Sequence, residues 1–313
     1  MSRQPTIGSL FTGIGGLDEG VRQVFGGQVA WTSETDPHAA PEHNLGDITK
    51  IDWGKVDPVD IVCGGSPCQD LSTGGAGTGL HGHRSALWFH MLDAIKALRP
   101  HLVVWENVYG ALSASGGPNV RAAGRVIGTL AENGYDAAWT VTGSKNIGAP
   151  HNRRRLFLLA WDKDAGPPTR WRPASDGDPN PHKMLPTPTA SDSLDRGAQN
   201  PHARKSRGHQ IRLVDHLAHQ YDHESGHFGV FEQAIRHWGS VVGPPPAPLL
   251  KTRTGNHKMN PPFAAWMMGL DAPPDDVAWK DRMRLIGNAA MPAQVAPALA
   301  KLAATAQREV LPY

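Results

Sequence analysis

An α/β fold built on a largely parallel sheet is what the sequence predicts, and three observations carry it. Short apolar runs alternate with helical patterns through the first half of the chain. Those runs end repeatedly in Gly, Glu or Cys. A stretch crowded with Pro, Gly and Asp then breaks the alternation and opens a region of irregular pattern.

The apolar runs TIGSLF (Thr6–Phe11), QVAWTS (Gln28–Ser33), VDIVCG (Val59–Gly64), HLVVWE (His101–Glu106) and RLFLLAW (Arg155–Trp161) read as strands. Between the third and fourth, RSALWFHMLDAIKALRP repeats Leu87, Met91, Ile95 and Leu98 at near-helical spacing, and Pro100 ends it. A second helix, VRAAGRVIGTLAENG, stops at Gly134. The irregular region runs from about 162 to 261 and contains one clear helix, GVFEQAIRHWGSVVG, with Phe231, Ala234, Ile235 and Trp238 on one face. The tail AQVAPALAKLAATAQREV carries Val295, Leu299 and Leu302 as an apolar stripe. The expected organisation is a first domain over 1–161, an insert with its linker over 162–261, and a final segment, 262–313, that packs back on the first.

At 313 residues the chain can bury a sizeable core without staples. Its two cysteines, Cys63 and Cys68, stand five positions apart and build no disulfide framework, which points to a reducing compartment. The opening MSRQPTIGSLFTG lacks a charged leader followed by an apolar stretch, and no apolar run is long enough to span a bilayer. A soluble, cytoplasmic protein without membrane contact is expected. Net charge is only +2, too weak to announce a nucleic-acid partner. The charge is uneven, however: Arg196 to Arg212 holds five Arg or Lys residues and no acid.

In open α/β sheets ligands bind beyond the carboxyl ends of the strands. The first strand runs into the glycine turn FTGIGG, the second ends at Glu34, the third runs into GGSPCQ and the fourth into Glu106 and Asn107. The glycine turn lacks the G-x-G-x-x-G spacing, and no Walker Lys follows it. Paired with Glu34, whose carboxylate suits ribose hydroxyls, it favours an adenosine-containing cofactor. Cys63 reads as a small core hydrophobe. Cys68 sits in a polar, glycine-rich loop, where backbone N–H groups favour a nucleophilic thiolate. A nucleophile near the acid Glu106 suits covalent attack on a heterocycle that is protonated as it is attacked.

In order along the chain, SLFTGIGGLDEG, SETD, GDIT, GGSPCQDLS, RSALWF, WENV, GAPHNRRRLFLLA and GNAAMP resemble the sequence blocks of the cytosine-C5 DNA methyltransferases. The match covers Ile7 to about Trp161 and resumes from about Pro261, and NPPFAAWMMGLD is similar to versions from phages and actinobacteria. The resemblance implies a Rossmann-like S-adenosylmethionine-dependent methyltransferase sheet with a smaller, irregular target-recognition domain. It implies S-adenosylmethionine held by Phe11, Thr12, Gly13, Ile14, Gly16, Glu34, Asp47, Ile48, Leu87 and Asn288, with no metal. It implies a monomer that acts on double-stranded DNA and flips the base out. Cys68 attacks C6, Glu106 holds N3, and Arg153 and Arg155 hold the cytosine and the active-site loop. A link to restriction–modification comes with the family. Departures from its pattern are Ser9, Ser66, Thr35 and His151.

On this reading the basic stretch falls in the target-recognition region and becomes a phosphate contact. The sequence HESGH, His223–His227, matches H-E-x-x-H literally, but Ser225 and Gly226 make it a turn rather than the helix a zinc site needs. Two other functions compete with DNA methylation. One is the related tRNA cytosine-C5 methyltransferase, which shares these blocks. The other is a silent DNA-binding relative, which would be free to lose Cys68, Glu106 and the arginines that this chain keeps.

Overall fold

The computed structural model describes residues 3–39, 43–66, 87–117, 120–174, 177–194 and 197–310. The chain divides into two compact units. One comprises Met1–Thr142, Arg154–Ser175 and Pro292–Tyr313, the other Gly143–Arg153 and Asp176–Met291. The segment after Pro261 is therefore shared between them.

In the first unit β1 (Thr6–Leu10), α1 (Gly16–Phe25), β2 (Gln28–Ser33), β3 (Ile61–Gly64), α2 (Leu87–Leu98) and β4 (Leu102–Val108) follow the predicted alternation. The short hairpin of β5 (Ser115–Gly117) and β6 (Val120–Arg121) leads into α3 (Ala122–Glu132), then β7 (Tyr135–Gly143) and β8 (Arg154–Asp162). The main sheet has the order β2-β1-β3-β4-β8-β7. The strands β2, β1, β3 and β4 are parallel, whereas β8 runs antiparallel to β4. β7 was not anticipated. It lies at the sheet edge and is only half-buried over most of its length, so it shows no continuous apolar run.

The core against one face of the sheet is aromatic-rich. Trp88 and Trp105, both fully buried, meet edge to face at 5.8 Å, and the Trp88 indole N–H donates to Thr129 Oγ1 at 3.1 Å. The C-terminal helix (Pro292–Val310) buries Val295, Leu299 and Leu302, the stripe read from the sequence. It approaches α1 closely, because a methyl group at Gly20 would overlap Val295.

Register brings the strand ends level. Leu10 pairs with Ser33 on one side and Gly64 on the other, and Gly64 pairs with Trp105. The next residues along these four strands are Glu34, Phe11, Gly65 and Glu106. One row across the sheet thus ends in the polar and turn-forming residues singled out above.

A buried polar knot underlies that row. Thr12 Oγ1 donates to Ser9 Oγ at 2.9 Å, Ser9 Oγ donates to Asp18 Oδ1 at 2.6 Å, and the Cys63 thiol lies 3.6 Å from the same oxygen. Asp18 is only 6% exposed, and burial pushes its carboxyl up from 3.8 to about 6 despite the Ser9 and Cys63 bonds. Burial also pushes the Cys63 thiol well above its ordinary range, with the Asp18 charge adding to the shift. Cys63 is an inert core group, as its strand context predicts.

In the second unit lie α4 (Pro201–Ser206), α5 (Leu213–Gln220), α6 (Glu232–Val242), the hairpin of β9 (Leu249–Lys251) and β10 (His257–Met259), α7 (Pro261–Met267) and α8 (Trp279–Asn288). Phe231, Ala234, Ile235 and Trp238 are buried together, and the Trp238 indole N–H donates to Trp266 O at 2.8 Å. Asn180, buried in an otherwise irregular stretch, donates to Gly148 O and Ala234 O and so closes this unit on itself.

Asp18 gives a signed prediction. Between about pH 4 and 6 the folded protein keeps the Asp18 proton that the unfolded chain releases, so this group lowers stability as pH rises through that window. Asp18→Asn removes the titration. Its stability relative to the parent, from urea unfolding, is expected to climb between pH 4 and 6 by on the order of 3 kcal/mol and then level off. A difference that stays flat with pH contradicts the assignment.

Candidate active site

The turn after β1 is built on positive backbone angles. Phe11 has φ 55°, Gly13 φ 54° and Gly15 φ 78°, and Gly15 caps α1 with no side chain over its N–H groups. The Gly13 N–H donates to Glu34 Oε2 at 2.9 Å, while Glu34 Oε1 accepts from the N–H groups of Thr35 and Asp36 at 2.8 and 2.9 Å. The carboxylate at the end of β2 is thereby fixed directly against the glycine turn. Thr12 and Gly16 are buried beneath that turn, and Phe11 and Ile14 are half-buried on it.

Asn44, which sequence reasoning passed over, attaches the next segment to this rim. Its side chain accepts from Glu34 N and Gly46 N and donates to Glu34 O, and Ser33 Oγ donates to Gly46 O at 2.7 Å. An Asn two residues before Gly is the signal that an Asx turn leaves in a sequence. Asp47 follows and caps a short 3-10 turn by accepting from Thr49 N and Thr49 Oγ1. Those bonds, with Lys50 at 3.4 Å, hold its carboxyl below the usual carboxylate range. Ile48 is buried in the core, and Phe11 and Leu87 pack half-buried against that same core.

At the end of β4, Arg155 Nε stands 2.8 Å from Glu106 Oε1, with side chains only 16% and 13% exposed. The contact is one of charge rather than an aligned hydrogen bond, and Glu106 Oε1 is buried without a hydrogen-bond partner among the described residues. Glu106 Oε2 faces Gly65, where an added Cβ would come within 3.0 Å of it. The next residue, Ser66, is buried: its Oγ accepts from the Trp105 indole N–H at 3.0 Å and its carbonyl from Asn107 Nδ2 at 3.2 Å. Two residues that flank Glu106 in sequence therefore grip the residue two before Cys68. Cys68 itself lies outside the described residues.

Arg153 and Asn288 both belong to the second unit. The Arg153 guanidinium is buried and donates to Gly287 O at 3.1 Å and Ala289 O at 2.9 Å, the carbonyls on either side of the exposed Asn288. His151, fully buried, has Nε2 at 3.0 Å from Met267 O, which can only accept. Its Nε2 therefore carries a proton, and Nδ1 faces the Ser144 and Thr187 hydroxyls at 3.1 and 3.3 Å.

The basic stretch divides. Arg204 and Arg212 both pair with the fully buried Asp215, at 3.1 and 2.9 Å. Burial pushes the Asp215 carboxyl up, but the Arg212 guanidinium and the backbone N–H groups of Gln199 and Arg212 outweigh it and hold the carboxyl below its ordinary value. Arg204 is thus a structural cation, contrary to its expected place among the phosphate contacts. Lys205 and Arg207 are exposed. The HESGH segment is a turn closed by Gly226 N donating to Asp222 O at 2.8 Å, with the His223 ring stacked on His257 at 5.0 Å.

The defining pattern of the C-5 cytosine-specific DNA methylase family matches residues 6–248. The orphan methyltransferase M.SPRI of Bacillus phage SPR is 30% identical over 167 residues, half of this chain and 37% of that protein. The type II methyltransferase M.SsoII of Shigella sonnei is 32% identical over 162 residues, half of this chain and 42% of that protein. The chain thus matches less than half the length of these relatives. Among solved structures, a putative DNA modification methyltransferase from an E. coli prophage superposes with TM-score 0.55 at 18% identity, covering 97% of this chain and 99% of that one. S. pombe Dnmt2 does so with TM-score 0.54 at 16% identity, covering 96% and 99%. These likenesses show a shared fold, that of S-adenosylmethionine-dependent methyltransferases. With more than half of its length matched by the family pattern, the chain belongs to the C-5 cytosine-specific DNA methylase family.

Proposed function

We propose that the protein transfers a methyl group from S-adenosylmethionine to C5 of a cytosine flipped out of double-stranded DNA. The observation that carries the reading is the partly buried Glu106–Arg155 pair beside Gly65 and Ser66, the residues that immediately precede Pro67 and Cys68 in sequence.

The residues at the glycine turn fit an adenosine-bearing ligand. A Cβ at Gly13 or Gly15 would point into open space, α1 offers uncapped N–H groups, and the Glu34 carboxylate is fixed at the rim by three backbone donors. In this reading Phe11, Thr12, Gly13, Ile14 and Gly16 line the cofactor, Glu34 takes the ribose hydroxyls, Asp47 and Ile48 meet the adenine, and Leu87 and Asn288 complete the set. S-adenosylmethionine, when bound, supplies an electrophilic methyl group.

The chain's own residues then divide the work. The Cys68 thiolate forms a bond to C6 as Glu106 holds a proton at N3, which offsets the charge that would otherwise build on the ring and leaves C5 nucleophilic. After C5 has taken the methyl group, loss of its proton to a base breaks the bond to C6 and frees the thiolate. Arg155 fixes the Glu106 carboxylate through the 2.8 Å contact. Arg153 acts one step removed, by holding the carbonyls around Asn288. Sequence reading of the DNA is assigned to the region 162–261, where a few side chains read base edges and cations set position on the backbone.

Methylation of duplex DNA by the full chain, read by bisulfite sequencing with tRNA as the competing substrate, tests the reading. Duplex-dependent methylcytosine is expected, and methyl transfer to tRNA alone contradicts it. Cys68→Ser is expected to abolish turnover, while Cys63→Ala keeps it with some loss of stability. Glu106→Gln is expected to slow methyl transfer by about 10²–10⁴-fold with cofactor affinity unchanged by calorimetry. A loss of cofactor affinity instead would put Glu106 in the wrong role. In the insert, joint neutralisation of Lys205 and Arg207 is expected to flatten the salt dependence of DNA binding by about two counterions, whereas Arg204→Gln acts mainly on stability. An unchanged salt slope in the Lys205/Arg207 variant contradicts the phosphate assignment.

A further inference from the structure

Three consecutive arginines stand at the start of β8, Arg153 just before it and Arg154 and Arg155 within it, and each has a different environment. Arg153 is buried against the carbonyls of Gly287 and Ala289, and Arg155 pairs with Glu106. Arg154 is exposed, and its guanidinium carbon lies 3.5 Å above the centre of the Tyr109 ring. Antiparallel pairing explains the meeting. Val108 of β4 stands opposite Arg155, so the next residue, Tyr109, falls beside Arg154. Tyr109 is itself 42% exposed, and among the described residues its ring contact is with that cation.

We propose that Arg154, its guanidinium over the Tyr109 ring, is a phosphate-binding platform for the nucleic-acid strand that carries the target base. The inference rests on the methyltransferase reading and extends it to residues that the family blocks leave without a role. A guanidinium stacked on a ring presents one face to the π-system and leaves its N–H edge donors pointing outward. Among the described residues no carboxylate pairs with Arg154, and the hydrogen bond at this residue involves its main-chain oxygen, which accepts from Arg155 Nη1 at 3.1 Å. A fixed fork of donors with an unneutralised charge matches the two non-bridging oxygens of a phosphodiester. The location suits that ligand, since Tyr109 directly follows β4, three residues beyond Glu106, at the same end of the sheet. The ring limits the rotamers open to a long side chain, so less freedom is lost on binding than for a free surface arginine.

The test is fluorescence anisotropy of the full chain on a fluorescein-labelled duplex over a series of KCl concentrations. Arg154→Ala is expected to weaken binding and to lower the slope of log K against log salt by about 0.9, the loss of one phosphate contact. Arg154→Lys is expected to restore the slope while binding stays weaker than in the parent, because an ammonium lacks the fork. Tyr109→Ala is expected to weaken binding with the slope kept, and Tyr109→Phe to match the parent. Equal slopes for the parent and Arg154→Ala, both folded by circular dichroism, overturn the platform and leave the methyltransferase reading intact. A parent protein that does not bind duplex DNA at any salt concentration overturns both.

Discussion

Ser66 is gripped from two sides by residues that flank Glu106, and the rest of the site depends on that grip. The Trp105 indole N–H and the Asn107 amide bond its hydroxyl and its carbonyl. Both partners are buried, so replacing the serine hydroxyl by an apolar group would strand the indole N–H at a cost of roughly 1–3 kcal/mol. The small hydroxyl at this position, a departure from the family's usual choice, is therefore matched to the tryptophan beneath it. Ser66, two residues before Cys68 in sequence, is thereby fixed relative to the Glu106 carboxylate.

The cofactor side of the sheet follows the same logic with different groups. Strand register sets Glu34, Phe11, Gly65 and Glu106 one step past a common row, which turns a one-dimensional pattern into a continuous rim. Glu34 is locked by three N–H donors, and Asn44 hangs the Asp47 segment on the same strand end. Beneath the rim, the Thr12–Ser9–Asp18 chain supports the turn from inside the core. With Ser9 in place of the family's usual acid, Asp18 supplies a buried carboxylate from the first turn of α1 instead. The rim is thus made of backbone donors and fixed carboxylates, with little left to rearrange when a ligand arrives.

Much of this was legible in the sequence, for physical reasons that differ from place to place. β1, β3 and β4 were visible because strands buried on both faces are continuous apolar runs, and the residues that interrupt them stand in one row at their ends. β7 was not visible, because an edge strand with one wet face mixes polar and apolar residues. The antiparallel direction of β8 was equally hidden, since a run such as RLFLLAW has no direction of its own. Arg204 misled for a related reason: a basic stretch reads as a solvated or phosphate-binding face until a buried acid, Asp215, is seen to claim part of it. Arg153 was found by its motif, but its grip on the carbonyls around Asn288 lies 134 and 136 residues away in sequence, beyond any local signal.

In the proposed reaction the nucleophile is Cys68, two residues beyond Ser66 in sequence, and not Cys63, which is buried on β3 against Asp18. The direct measurement is mass spectrometry of the adduct formed with a duplex that carries 5-fluorocytosine and S-adenosylmethionine, where fluorine replaces the proton whose loss releases the thiolate. Both cysteines fall in one tryptic peptide, between Lys55 and Arg84, and fragment ions resolve them. A stable bond from the fluorinated base to Cys68, with Cys63 free, is the predicted result. An adduct on Cys63, or methyl transfer without any cysteine adduct, would contradict the account.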